Sequence, residues 1–178
     1  MSDFAQDFVA HLIRLREGKA AALAELRRSL SFAPGAYPPA YPYVERFVAG
    51  DSHAEDSSRL ALYVVAGLFA QHPQTASASL ASSFGELMRR RDSASIEKRF
   101  VALLGADAEN LADYLRQVVS LLAADDIGLD YAALLKDLRF WLNPRLDPDV
   151  RDRIRQRWAR DFYRALAHDA ESQTVTQD

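Results

Sequence analysis

Residues 26–38 read LRRSLSFAPGAYP, and this stretch decides how the first part of the chain folds. Leu23, Leu26 and Leu30 recur at helical spacing, which predicts a helix that ends just after an arginine pair. Four prolines lie within residues 32–43 and forbid a continuous helix there. Three tyrosines in the same stretch supply rings that can pack. We therefore expect an ordered turn at this point, not a flexible linker.

Helical spacing of apolar residues continues along the rest of the chain, and no strand pattern of useful length interrupts it. The sequence therefore predicts an all-α fold: a single compact, bundle-like domain of about eight helices over residues 1–178. A division into two lobes would fall near residue 92, and residues 168–178 are expected to be frayed. Helix starts are predicted from capping residues at Asp51 or Ser52, at Thr75, at Asp130 and at the pair Asp147-Pro148. The last of these helices is expected to end near Ala167.

The composition favours a folded protein in a reducing compartment. Of the 178 residues, 49% are hydrophobic, which is enough for one sizeable core. The chain has no cysteine, so a disulfide framework and thiolate metal sites are excluded. The longest apolar run, residues 60–70, is far shorter than the ~20 residues of a membrane span and predicts a buried helix. The N-terminal residues include acidic Asp3 and Asp7 and lack the basic region and apolar core of a signal peptide. We therefore expect a cytoplasmic protein with no membrane partner.

No catalytic constellation can be recognised in the sequence. The four histidines lie far apart, without the spacing of metal ligands. The carboxylate pair Asp125-Asp126 fits a solvated helix end, and Asp107 fits a helix cap. A glycine-rich phosphate loop and a nucleophile motif are both absent. We therefore predict a protein that is not an enzyme, with no catalytic residue, no metal site and no cofactor.

The last predicted helix carries a stripe of arginines beside its apolar side. Val150, Ile154 and Trp158 fall on the apolar side, and Trp158 is expected in the core. The arginine stripe consists of Arg153, Arg157, Arg160 and Arg164. Two interpretations stay open. The stripe follows a phosphate backbone, or it is a solvated face with local ion pairs between Asp149 and Arg153 and between Arg157 and Asp161.

Basic residues elsewhere occur as single positions. Arg27 lies almost within the apolar stripe of its helix, and Arg99 flanks another apolar face, with Lys98 pointing outward. Arg116 lies off the apolar face of its own helix. The run at residues 89–91 is typical of a solvated helix end and complements the helix dipole. The net charge of −3 argues mildly against a free-standing nucleic-acid binder, although one basic face suffices for binding.

Four blocks of sequence follow one another along the chain: LRRSLSFAPGAYP at residues 26–38 with PYVE at 42–45, SIEKRFVALL at 95–104, LRQVV at 115–119 with LLKDL at 134–138, and RWARDFY at 157–163. In their order and spacing they resemble the small subunit of the type I-E CRISPR surveillance complex Cascade, the CasB family. Together they cover nearly the whole chain. The resemblance implies an all-helical, non-catalytic subunit.

The resemblance also implies partners and a site. Two copies of the subunit would sit head to tail beside the other Cascade subunits, near the guide crRNA and the target or displaced DNA strand. They would bind nucleic acid without sequence preference and stabilise the R-loop. Positions that match the family blocks are Arg27, Lys98, Arg99 and Arg116, with Arg157 and Arg160 in the fourth block. Arg153 and Arg164 rest on the helical pattern alone.

Three alternatives remain open on the sequence alone. An enzyme would need carboxylates or histidines that converge in space. A helix-turn-helix regulator would need a short turn before a recognition helix, and the best place for it is before Ser93. A scaffold that binds only proteins would leave every arginine solvated.

Overall fold

A computed structural model describes residues 3–172, and within that range the fold is all-α, as predicted. Nine α-helices occur in the described residues: α1 (Phe4–Gly18), α2 (Ala20–Ser29), α3 (Tyr41–Val44), α4 (Ser57–Gln71), α5 (Leu80–Arg91), α6 (Ala94–Leu104), α7 (Leu111–Ala124), α8 (Tyr131–Trp141) and α9 (Pro148–Ser172). Short 3-10 turns at Pro38–Ala40 and Glu45–Phe47 flank α3. The helix α9 extends beyond its predicted end near Ala167, and residues 173–178 of the predicted frayed tail lie outside the described residues.

Two predicted helix starts are confirmed by their hydrogen bonds. The carboxylate of Asp130 accepts from the backbone N–H of Ala133 at 2.9 Å and caps α8. The carboxylate of Asp147 accepts from the backbone N–H of Asp149 at 2.9 Å, and Pro148 is the first residue of α9. Proline is tolerated there because its missing N–H would have no partner inside the helix.

The predicted start of α4 at Asp51 or Ser52 is wrong. Asp56 caps the helix instead, accepting from the backbone N–H groups of Ser58 at 2.9 Å and Arg59 at 3.2 Å. Several residues before α4 carry side chains suited to capping, so the sequence alone does not select among them.

The predicted start of α5 at Thr75 is also wrong. The helix begins at Leu80, where the Ser79 hydroxyl accepts from the backbone N–H of Ser82 at 3.2 Å. Thr75 is extended and forms an isolated parallel bridge with Leu129. Because this bridge joins residues far apart in the sequence, local pattern could not reveal it.

The core is one continuous cluster of hydrophobic side chains, and both halves of the chain contribute to it. Helix α4 packs against α2, α7 and α8, and α8 also contacts α1. Helices α5 and α9 lie so close that a Cβ at Gly85 would meet the carbonyl oxygen of Phe162 at 2.3 Å. The division into lobes near residue 92 stays a prediction. Among the described helices, none is long and apolar enough to cross a membrane.

The proline-rich turn is ordered, and a buried arginine holds it. The Nη2 of Arg59 on α4 donates to the Glu45 carboxylate at 2.7 Å and to the carbonyl oxygen of Gly35 at 3.3 Å. The Tyr63 hydroxyl donates to the same carboxylate at 2.6 Å, and the Tyr41 hydroxyl donates to the Gly35 carbonyl at 2.9 Å. The Arg59 side chain is only 11% exposed. These bonds tie the turn to α4 on both sides of Pro38, Pro39 and Pro42.

Replacing Gly35 with alanine is expected to lower the free energy of unfolding by about 1–3 kcal/mol. Gly35 has a φ of +76°, and an added Cβ would lie 2.3 Å from Nη1 of Arg59, so the arginine would have to leave its bonds. Gly50 is the matched control, since a Cβ there meets nothing within 4 Å. Denaturant unfolding of both variants measures the difference, and equal stabilities would show that the contact of Arg59 with the turn contributes little.

Candidate nucleic-acid interface

The arginine stripe of α9 faces solvent as the helical pattern predicts. All four guanidinium-bearing residues are exposed, namely Arg153, Arg157, Arg160 and Arg164. The opposite side of the helix is buried through Ile154, Trp158 and Phe162. Apolar burial therefore fixes the rotation of α9 and holds the stripe outward.

The local ion pairs predicted along α9 do not form, because Arg153 and Arg157 have other partners. Arg157 pairs with Asp137 of α8 and not with Asp161. Asp161 instead accepts from the hydroxyl of Ser79 at 2.9 Å. Arg153 donates from Nε to the backbone carbonyl of Asp149 at 3.3 Å and does not use that residue's carboxylate. Contacts between helices replace the local pairs that spacing along α9 suggested.

Four basic side chains of the predicted site make no ion pair or side-chain hydrogen bond with any residue in the described part of the chain. They are Arg160 and Arg164 on α9 and Lys98 and Arg99 on α6. All four are exposed. Exposed arginine and lysine without a carboxylate partner keep their full charge and all their donors available to a ligand.

The structure brings Arg27 and Arg116 together at the ends of two helices. Arg27 donates from Nε to the carbonyl of Ala70 at 3.4 Å, near the end of α4. Arg116 donates from Nη1 to the carbonyl of Leu30 at 3.2 Å, at the end of α2. The next residue of α4, Gln71, donates to the carbonyl of Arg116 at 3.3 Å. Both arginines thus complement a negative helix end while other donors of each guanidinium remain exposed.

Arg99 on α6 and Arg116 on α7 lie on consecutive helices that contact each other. No side-chain contact links Arg99 to Arg27 or Arg116 in the described residues, so their use as one surface stays a prediction.

The arginine run at residues 89–91 is engaged in ion pairs. Arg90 pairs with Glu86 at 2.6 Å, and Arg91 pairs with Asp125 in a two-bond arrangement. The Arg91 guanidinium lowers the pKa of the Asp125 carboxyl below its ordinary value. These contacts agree with the interpretation of the run as a solvated helix end.

Acidic side chains gather around a separate surface, which we call the acidic groove. It runs between the proline-rich turn at Ala33 and Pro34 and the start of α7, through two adjoining cavities of about 300 and 670 Å³. Glu55, Glu109 and Asp113 line it, and none of the three side chains pairs with another described residue. Arg59 also lines the larger cavity, but its charge is paired with Glu45, so the unpaired charges of the groove are negative.

A groove between α8 and α9 was missed at the sequence level. It encloses about 400 Å³ and is lined by Asp137, Phe140, Val150, Arg153, Ile154, Arg157 and Arg160. Phe140 is 52% exposed although the other large apolar residues of α8 are buried. The signal in the sequence was an aromatic residue three positions after Asp137, on the polar side of the helix.

His11 and His72 each bond a backbone carbonyl of a distant segment. His11 donates from Nε2 to the carbonyl of Tyr43 at 2.8 Å, and His72 to the carbonyl of Ile127 at 2.7 Å. Burial lowers the pKa of His11 below its ordinary value. Over residues 3–172, no group of three or more histidine, aspartate and glutamate side chains converges in a way that could hold a metal ion.

The fold and surface together define an all-α protein with exposed arginines on several helices. A sequence profile described as CRISPR-associated protein Cse2 matches residues 22–163. The chain is 44% identical over 169 residues to the CRISPR-associated protein Cse2 of Thermus thermophilus, with 92% of each chain covered. The chain therefore belongs to the Cse2 family, and its resemblance to CasB is confirmed.

Solved structures of this family share the fold. The crystal structure of a Cse2-family protein from Thermus thermophilus matches with a TM-score of 0.76 at 43% identity, over 92% of this chain and 99% of that chain. The crystal structure of M. ruber CasB matches with a TM-score of 0.76 at 34% identity, over 99% and 100%. A chain of a CRISPR RNA-guided surveillance complex, 22% identical, has the same fold with a TM-score of 0.78 over 96% and 97%.

Replacing Trp158 with alanine is expected to cost about 3–5 kcal/mol of unfolding free energy. Trp158 is 3% exposed, contacts Trp141 edge to face at 5.0 Å and donates from Nε1 to Asp137 at 2.7 Å. Arg160→Ala, two positions further along the same helix, is the control and should change stability by less than about 0.5 kcal/mol. Denaturant unfolding compares the two variants, and a small loss for Trp158→Ala would contradict its role as the anchor of α9.

Proposed function

We propose that this protein is the non-catalytic small subunit of a CRISPR RNA-guided surveillance complex and that it binds nucleic acid through its exposed arginines. The observation that carries the proposal is the pairing of family membership with basic side chains that have no partner in the described chain, namely Lys98, Arg99, Arg160 and Arg164. Unpaired exposed arginine and lysine are what a phosphate backbone requires.

The proposal includes specific partners. A chain of the same fold is part of a CRISPR RNA-guided surveillance complex, which supports assembly with other subunits. We infer that the protein assembles with the other Cascade subunits and with a second copy of itself, in the cytoplasm. Its nucleic-acid partners are then the guide crRNA and the target or displaced DNA strand, held together in an R-loop.

Arginine contacts to phosphate explain how such a subunit acts without reading sequence. A guanidinium that binds phosphate fixes the position of the strand and carries no base code. Sequence recognition is then left to pairing between guide and target. The contribution of the subunit is added affinity that depends steeply on salt, because each phosphate contact releases counterions.

The acidic groove supports the part of the proposal that concerns protein partners. Its unpaired carboxylates, Glu55, Glu109 and Asp113, repel phosphate, so this face does not suit nucleic acid. Its apolar walls at Pro34 and Ala112 suit the side chains of a protein segment that also carries basic residues. Nucleic acid and protein partners would thus bind different faces of the same subunit.

We expect the double variant Arg160→Ala/Arg164→Ala to flatten the salt dependence of nucleic-acid binding by between about one and two units in log affinity against log salt. Each arginine that contacts a phosphate contributes roughly −0.9 to the slope on duplex DNA and roughly −0.7 on a single strand. Titration of two unrelated sequences across a salt series measures the slope and tests for sequence preference.

The matched control for that experiment is Arg28→Ala/Arg90→Ala, which removes the same charge from arginines already paired with Glu25 and Glu86. Its slope should change less than that of the test variant. If the original protein, the test variant and the control variant all had the same salt slope, the α9 stripe would be only a solvated face. No binding of any nucleic acid at low salt would favour the protein-only scaffold.

Reversing Arg99 to glutamate is expected to shorten the lifetime of the R-loop severalfold in the reconstituted surveillance complex. Arg99 is exposed without a partner in the described chain, so reversal places a negative charge against phosphate at no cost to folding. The control Arg28→Glu should leave the lifetime unchanged. A collapse of the thermal midpoint for Arg99→Glu would reveal a structural role and remove Arg99 from the site.

A further inference from the structure

We propose that the groove between α8 and α9 binds an unpaired base of a single nucleic-acid strand, with Phe140 as the stacking surface and the arginines of the groove holding the adjoining phosphates. This inference rests on the nucleic-acid role proposed above and deepens it. It adds to phosphate binding a contact that only a single strand can make.

The aromatic side of the groove is open to solvent. Phe140 is 52% exposed, while its neighbour Trp141 is fully buried against Trp158. A lone exposed phenylalanine is ordinary on a protein surface. Phe140 differs because Val150 and Ile154 continue its apolar surface across to α9 and because three arginines line the same cavity. Aromatic rings beside basic side chains are the arrangement that binds single strands without sequence preference.

The charges of the groove favour an anion. Asp137, its one carboxylate, is already occupied, since it pairs with Arg157 and accepts from the indole N–H of Trp158 at 2.7 Å. Arg153 and Arg160 therefore leave an excess of positive charge at its edge. Arg153 is held through Nε by the Asp149 carbonyl at 3.3 Å, so its terminal nitrogens remain available to phosphate.

The spacing of the arginines suits a strand that crosses the groove. Seven residues separate Arg153 from Arg160, and at 1.5 Å per residue this is about 10 Å along α9. Phosphates on either side of a stacked nucleotide could be held at the two ends of that span. Arg157 lies between them, oriented by its pair with Asp137.

The open groove has room for a ligand of the size of a nucleotide. Its volume of about 400 Å³ lies within the ~300–1,000 Å³ of clefts that hold small molecules. Bases inside a duplex are already stacked and cannot reach Phe140. The contact is therefore specific for single strands and tolerant of sequence, because every base has a π-face.

Fluorescence anisotropy with three labelled DNA probes tests the inference on the full-length chain. The probes are an oligodeoxythymidine of about 12 nucleotides, an abasic strand of the same length, and a duplex of the same length. Phe140→Ala should weaken binding of the oligodeoxythymidine roughly tenfold, as expected for the loss of one stacked base. Its affinity for the abasic strand and for the duplex should be unchanged. Phe140→Trp should retain the affinity of the original protein.

Phe32→Ala is the matched control, because Phe32 is 50% exposed and lies in the proline-rich turn, stacked on Tyr37. It should leave binding of all three probes unchanged. Thermal midpoints of the Phe140 variants should stay near that of the original chain, since the ring is half exposed.

Two results would overturn the inference. The first is equal binding of the oligodeoxythymidine by Phe140→Ala and the original protein. If Arg160→Ala/Arg164→Ala still flattened the salt slope, the proposed function would stand and only the stacking site would fail. The second is an equal loss of affinity for all three probes in Phe140→Ala, which would indicate that Phe140 has a general structural role. A Phe140→Ala variant that binds every probe normally yet fails to join the surveillance complex would identify the groove as a protein contact.

Discussion

Burial of α4 on every side is the constraint on which the rest of the structure depends. Ten consecutive residues of this helix, 61–70, are buried. A helix that is apolar all round must be enclosed by other elements, and α2, α7 and α8 enclose this one. Its first turn packs against the proline-rich turn, and there Arg59 reaches Glu45 and Gly35. In its last turn the backbone N–H of His72 satisfies the carbonyl oxygens of Leu68 and Phe69, and the carbonyl oxygen of Ala70 takes its donor from a neighbouring helix.

Carbonyl oxygens at helix ends connect the core to the proposed interface. Arg27 satisfies the carbonyl of Ala70, and Gln71 reaches across to α7 beside Arg116. Arg116 in turn satisfies the carbonyl of Leu30. An arginine has five N–H donors, so one bond to a helix end fixes its direction without using up its capacity for phosphate. At these two positions, the bond that supports the fold also orients an arginine of the proposed binding surface.

Elements that depend on neighbours in sequence were predictable, and contacts between distant elements were not. The all-α fold, the cap at Asp130 and the burial of Trp158 follow from spacing and capping chemistry, and each is confirmed. The pair between Arg157 and Asp137 could not be foreseen, since Asp161 is the acidic residue that spacing along α9 offers. For the same reason the sequence could not show that Phe140 on α8 and Arg153 on α9 line one groove. The two helices that form the groove are also joined by the edge-to-face contact between Trp141 and Trp158.

The distribution of charge, more than its total, decides what the surface can bind. A net charge of −3 suggests repulsion from nucleic acid. Yet many of the carboxylates are occupied: Asp137 by Arg157, Asp125 by Arg91 and Glu86 by Arg90. Screening limits the reach of an exposed charge to about 10 Å at 0.1 M salt, so each surface charge acts mainly on a ligand that is bound close to it. Among the described residues, local pairing thus leaves unpaired arginines on α9 and unpaired carboxylates in the acidic groove, and the proposed nucleic-acid and protein partners would use one surface each.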